Sequence, residues 1–104
     1  MSNINKHYIY VLKLVPRLII KSNWTKDDEE IVDRHFEYLK ELLRAGKLLL
    51  AGKTSGLDDR TFGIVILEVD SEKEAKDIME KDPSVIEGVM MAELFPYDVA
   101  LLKR

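Results

Sequence analysis

Residues 47–69, KLLLAGKTSGLDDRTFGIVILEV, hold two apolar runs separated by a polar turn. Residues 47–52 are short and aliphatic, and residues 61–69 are rich in the β-branched and aromatic types that fit a pleated surface. Between them, residues 53–60 carry Gly56, Asp58 and Asp59, which is turn chemistry. The segment is therefore a second and a third strand joined directly, with a helix on each side. Upstream, Thr25 precedes Asp27, Asp28, Glu29 and Glu30 and can cap a helix whose positive dipole end welcomes acids. Its apolar residues Ile31, Val32, Phe36, Leu39, Leu42 and Leu43 recur at three- and four-residue steps until Gly46 ends it. Downstream, Ser71 with Glu74 three residues on forms a capping box, and Ala75, Ile78 and Met79 mark the inner side of a second helix that runs to about Lys81.

The outermost elements complete the pattern. Residues 7–15 are rich in Tyr, Ile, Val and Leu and stop at Pro16, so they read as the first strand, followed by a loop over 16–24. Asp82 before Pro83 is a second cap signal, which makes 83–87 a short helical turn ahead of Gly88. Residues 89–95 form the last strand, Pro96 marks its end or a kink, and 98–102 extend as a tail or edge. The order β-α-β-β-α-β is the split βαβ signature: an α+β, ferredoxin-like domain with an antiparallel four-stranded sheet and both helices on one face.

That arrangement leaves the other sheet face bare, and the strands are apolar on both sides. The first places Tyr8, Tyr10, Leu12 and Leu14 against Ile9, Val11 and Val15; the third places Phe62, Ile64 and Ile66 against Val65, Leu67 and Val69. An apolar patch of that size calls for cover, and a homodimer formed through the sheet faces is the economical expectation.

The chain of 104 residues fits one domain, spanning 1–104, and its 46% hydrophobic and 34% charged content is that of a folded globule. Without cysteine, disulfides and thiolate chemistry are excluded. Lys13, Pro16 and Arg17 interrupt the only apolar N-terminal run, so it does not read as a signal peptide, and no run reaches the ~20 residues of a membrane span. Cytoplasmic residence and no membrane partner are expected. A net charge of -3 argues against nucleic acid. Residues 1–26 nevertheless carry Lys6, Lys13, Arg17, Lys21 and Lys26 with no acid, which reads as a solvated basic loop or as an anion-attracting loop near a pocket.

Among residues that can do chemistry, His35 is the most informative, because at about 100° per residue it falls inside the apolar stripe of the first helix. It reads either as a half-buried histidine satisfied by a neighbour or as a general acid or base lining a pocket. Asp82 reads first as a helix cap, yet a carboxylate held by backbone amides is also well placed to orient an imidazole. No serine or cysteine motif completes a nucleophilic triad, so such a pair would serve proton transfer or hydrolysis by water. Arg17 is a candidate clamp for a carboxylate or phosphate, or else a surface charge. Tyr38 is carried with Arg17 as a ligand-binding candidate, although Tyr8, Tyr10 and Tyr38 all read more simply as core or interface residues with satisfied hydroxyls. Trp24 reads as a loop anchor. His7 and His35 do not have metal-ligand spacing, no phosphate-binding glycine loop is present, and neither metal nor cofactor is expected.

Taken in order, several segments resemble the YCII-related (YciI-like) domain over about residues 7–99. They are His35 within Arg34-His35-Phe36-Glu37-Tyr38-Leu39, then Ala45-Gly46-Lys47-Leu48-Leu49-Leu50-Ala51-Gly52, the Gly63 strand, the Asp82-Pro83 step, and Gly88 ahead of a strand ending in Pro96. The resemblance implies a dimeric α/β barrel with a His-Asp pair as its active site, carried here by His35 and Asp82, and it raises the weight on Arg17. It leaves two functions open. One is a cofactor-independent enzyme, a lyase, isomerase or hydrolase, moving protons on a small anionic or phenolic molecule. The other is a non-catalytic domain that binds a small ligand in the same cleft.

Overall fold

The computed structural model describes residues 6–103. Its elements are β1 (Lys6–Leu14), α1 (Lys26–Arg44), β2 (Leu48–Lys53), β3 (Gly63–Val69), α2 (Glu72–Glu80), the single-turn α3 (Pro83–Ile86) and β4 (Met90–Tyr97). The four strands form one antiparallel sheet in the order β2-β3-β1-β4, so the chain is α+β with a ferredoxin-like topology. No helix of the described residues is long and apolar enough to cross a membrane.

Local chemistry explains the boundaries. Thr25 and Asp28 close a reciprocal capping box at the start of α1. At its end the Lys47 amide bonds the Leu42 carbonyl and the Gly46 amide bonds the Leu43 carbonyl, a Schellman closure that needs the left-handed backbone of Gly46 (φ 75). The same closure ends α3, where Val89 bonds Ser84 and Gly88 (φ 74) bonds Val85. Tyr8, Tyr10 and Leu12 from β1, Val65, Leu67 and Val69 from β3, and Leu39, Leu42, Ala75 and Ile78 from the helices make the core. Fully burying a Leu or Val side chain contributes about 1.5–3 kcal/mol each.

Four details differ from the sequence expectations. The loop over 16–24 is two 3-10 turns, Pro16–Ile19 and Lys21–Asn23. β3 begins at Gly63, because the Phe62 amide is taken by the Thr54 hydroxyl instead of a ladder partner. β4 continues through Pro96, which sits opposite Tyr8 on an edge strand where a missing donor costs nothing. Phe36 and Leu43 are exposed, so the buried stripe of α1 is narrower: Asp28, His35, Leu39 and Leu42. The sheet face away from the helices carries Ile9, Val11, Ile64 and Ile66 at its centre, with Leu50, Met91 and Phe95 exposed towards its edges.

Candidate active site

The stripe of α1 turns His35 inward, and the Asp82-Pro83 step turns the Asp82 carboxylate back over the first turn of α3, whose Ser84 amide it accepts at 3.0 Å. The two side chains meet. His35 Nδ1 lies 2.7 Å from Asp82 Oδ1 and 2.9 Å from Oδ2. The Ser84 hydroxyl donates to Oδ1 at 2.9 Å, and the Tyr10 hydroxyl, rising from the centre of the sheet, donates to Oδ2 at 2.8 Å. Asp82, Ser84 and Tyr10 are fully buried.

This network assigns the imidazole proton. An ionised carboxylate only accepts, so Nδ1 carries hydrogen and the neutral ring presents its lone pair at Nε2. Among the described residues Nε2 has no partner, yet no buried side-chain nitrogen or oxygen lacks one, so Nε2 reaches open space. His35 is also among the residues that line a cavity of about 540 Å³. The size suits a small organic ligand.

Burial pushes the Asp82 carboxyl up, but the His35 hydrogen bond and charge, the Tyr10 hydroxyl and the Ser84 amide outweigh it and hold the group below the usual carboxylate range. Tyr10 moves the other way: burial first, then the adjacent Asp82 charge, push its hydroxyl far above the usual range.

The cavity walls come from several elements. Leu12 and Leu14 of β1, Val32, Phe36 and Leu39 of α1, and Leu57 and Phe62 of the β2–β3 connection supply apolar surface. Its charged residues are Lys21, Asp33 and Lys53. Trp24 also lines it; the indole N–H bonds the Leu18 carbonyl at 2.8 Å and anchors the loop, while the Lys21 ammonium sits 4.0 Å from the ring centroid.

The other two candidates lie elsewhere. Arg17 makes a two-pronged contact with Asp28 at 2.8 and 2.7 Å and does not line the cavity. That contact, with the Thr25 amide, holds the Asp28 carboxyl well below the usual range. Tyr38 is half-buried and donates to the Ile78 carbonyl at 2.8 Å, away from the cavity lining. Burial and then the Asp82 charge push its hydroxyl up to about 12. His7 pairs with Glu68 at 3.3 Å on the opposite sheet face. Among the described residues no three His, Asp or Glu side chains gather as metal ligands would.

Tyr10, Ser84, Lys53 and Phe62 are site residues that the sequence did not single out. Ser84 had a signal: serine two places after an aspartate cap and one after proline stands where its amide and hydroxyl both reach the capping carboxylate. The remaining three had none beyond their place in a strand or a turn.

None of the curated proteins matches this sequence. Among solved structures, the chain is similar to the 5-chloro-2-hydroxyhydroquinone dehydrochlorinase TftG from Burkholderia phenoliruptrix AC1100, solved as a complex with 2,5-dihydroxybenzoquinone. The TM-score is 0.66 and the identity 21%, over 88% of this chain and 93% of that one, a likeness of fold. The family described as YCII-related domain matches residues 13–96. With most of its length inside that match, and with the sheet order and helix placement described above, the chain belongs to the YCII-related domain family.

Proposed function

We propose that the protein is a cofactor-independent enzyme in which His35, oriented by Asp82, moves protons on a small phenolic or anionic compound held in the apolar cavity. One observation carries this reading: His35 Nδ1 is committed to a buried carboxylate while the same residue lines the cavity. In such a reaction Nε2 takes a proton from a substrate hydroxyl, Asp82 stabilises the imidazolium that results, and the same proton returns to a substrate carbon or a departing group. Positioned acid–base groups of this kind contribute roughly 10²–10⁴-fold in rate. The similarity to TftG, a dehydrochlorinase of a chlorinated hydroxyhydroquinone, supports a hydroxylated ring as the substrate class.

The test is turnover of substituted hydroquinones followed by their absorbance, with His35→Gln beside the unaltered protein. The expected result is loss of at least about a hundredfold in kcat with binding retained. Binding without turnover in the unaltered protein would replace the enzyme with a ligand-binding domain, a reading that the apolar cavity walls also support.

The same reading includes a homodimer formed through the outer sheet faces, because Ile9, Val11 and Ile64 stand at the centre of the face away from the helices, which no helix of the described residues covers. Light scattering at micromolar concentration should return twice the chain mass, and a monomer mass refutes it. A cytoplasmic setting completes the proposal.

A further inference from the structure

The environment of Asp82 holds more donors than orientation of His35 alone requires. A carboxylate offers about four lone-pair sites. Here four donors fill them: His35 Nδ1–H, the Tyr10 hydroxyl, the Ser84 hydroxyl and the Ser84 amide. The donors arrive from three elements, α1, β1 and α3, so the carboxylate plane is fixed from three directions. All of this is buried, and no water is needed to satisfy any of these atoms.

We infer that Tyr10 and Ser84 are positioning residues that saturate and immobilise Asp82, so that a proton taken up by the pair stays on the imidazole of His35. A proton shifted from Nδ1 onto Asp82 would leave the Tyr10 hydroxyl and the Ser84 amide and hydroxyl donating to a neutral carboxyl, which accepts more weakly than a carboxylate, so these three donors favour the charge on Asp82 and the proton on His35. Tyr10 is the sharper case. Its ring fills the sheet centre with no exposed surface, and its one hydrogen bond is to Asp82 Oδ2. Tyr10→Phe therefore removes the donor and keeps the packing. Freed of it, the carboxylate can rotate about its Cβ–Cγ bond, and the Nδ1–H contact opens more often.

The inference rests on the acid–base reading for its catalytic meaning, but its first readout needs no substrate. In the unaltered protein at neutral pH, the Nδ1 proton of His35 should give a resolved downfield NMR resonance in slow exchange with water. Tyr10→Phe should raise its exchange rate about tenfold, and Ser84→Ala should do the same through Oδ1. On hydroquinone substrates both variants should lose about tenfold in kcat with KM unchanged. An exchange rate unaltered in whichever of the two variants folds overturns the positioning role, whatever the turnover. Turnover insensitive to His35→Gln overturns the acid–base reading instead and leaves the exchange result standing.

Discussion

Replacing Asp82 separates its charge from its hydrogen bonds, and the structure says what each is worth. In Asp82→Ala, the His35 Nδ1–H, the Tyr10 hydroxyl and the Ser84 amide and hydroxyl lose a shared acceptor that itself has no exposed surface. Removing one partner of a buried charged network costs about 3–5 kcal/mol, and that range includes much of the lost cap. For a domain of this size, a loss of about 4 kcal/mol lowers Tm by roughly 20 °C. Asp82→Asn behaves differently. Its carbonyl oxygen can stay at the Oδ1 position, where it keeps both Ser84 contacts and His35, and its amide nitrogen can donate to the Tyr10 oxygen, since a hydroxyl both donates and accepts. The charge assistance and the acceptor of the Tyr10 hydroxyl hydrogen are lost while the other three donors keep theirs, about 1–3 kcal/mol and less than for alanine. The pH dependence separates them further. The Asp82 carboxyl is held below its ordinary value, so its stabilisation is present above the ordinary carboxylate range near ~4 and is lost as pH falls through the folded value. Neither variant retains that slope. Urea unfolding followed by the fluorescence of Trp24, the single tryptophan, measures all three proteins at pH 7 and pH 3. An Ala variant as stable as the Asn variant would refute the account of Asp82 as the shared acceptor of a buried network.

Two further outcomes follow from other parts of the chain. Arg17→Met should let the Asp28 carboxyl rise towards its ordinary value; because that group stabilises only above the ordinary range, the variant should lose less stability between pH 7 and pH 3 than the unaltered protein. Equal losses would show that the fork does not hold Asp28 down. Gly46→Ala should cost about 1 kcal/mol in urea unfolding, since nothing lies within 4 Å of the added carbon and the penalty is the left-handed backbone alone. Gly46→Asn should recover part of it, and an alanine variant of full stability would argue against the Schellman closure.

The elements were legible where a periodic pattern met a capping signal. Thr25 ahead of the acidic run, Ser71 with Glu74, and the Asp82-Pro83 step each marked a helix start that the backbone confirms. Legibility failed where a partner distant in sequence decides the outcome. Phe62 continues the alternation of the third strand, yet a hydroxyl from Thr54 diverts its amide. Phe36 repeats at helical spacing, yet it is exposed where α1 borders the cavity. The basic loop was visible, but not that Asp28, alone of its acidic run, is buried and takes the Arg17 fork, because the capping box sets which carboxylate turns back. His35 was marked as inward by period alone. Its link to Asp82 was suggested by the family resemblance and could not be read from spacing, since 47 residues separate them.

The same carboxylate caps α3 and orients His35, and this explains why a one-turn helix suffices at the site. A helix of four residues has little stability of its own. Asp82 at one end and the Gly88 closure at the other bind it into the chain, while the contact to His35 ties it to α1 and the contact to Tyr10 ties it to the sheet. Orientation of the imidazole and retention of α3 are therefore a single equilibrium: whatever lets α3 fray also releases Nδ1–H. A ligand that engages Nε2 and favours the Nδ1–H tautomer must stabilise α3 by the same free energy, because the coupling between the two is reciprocal.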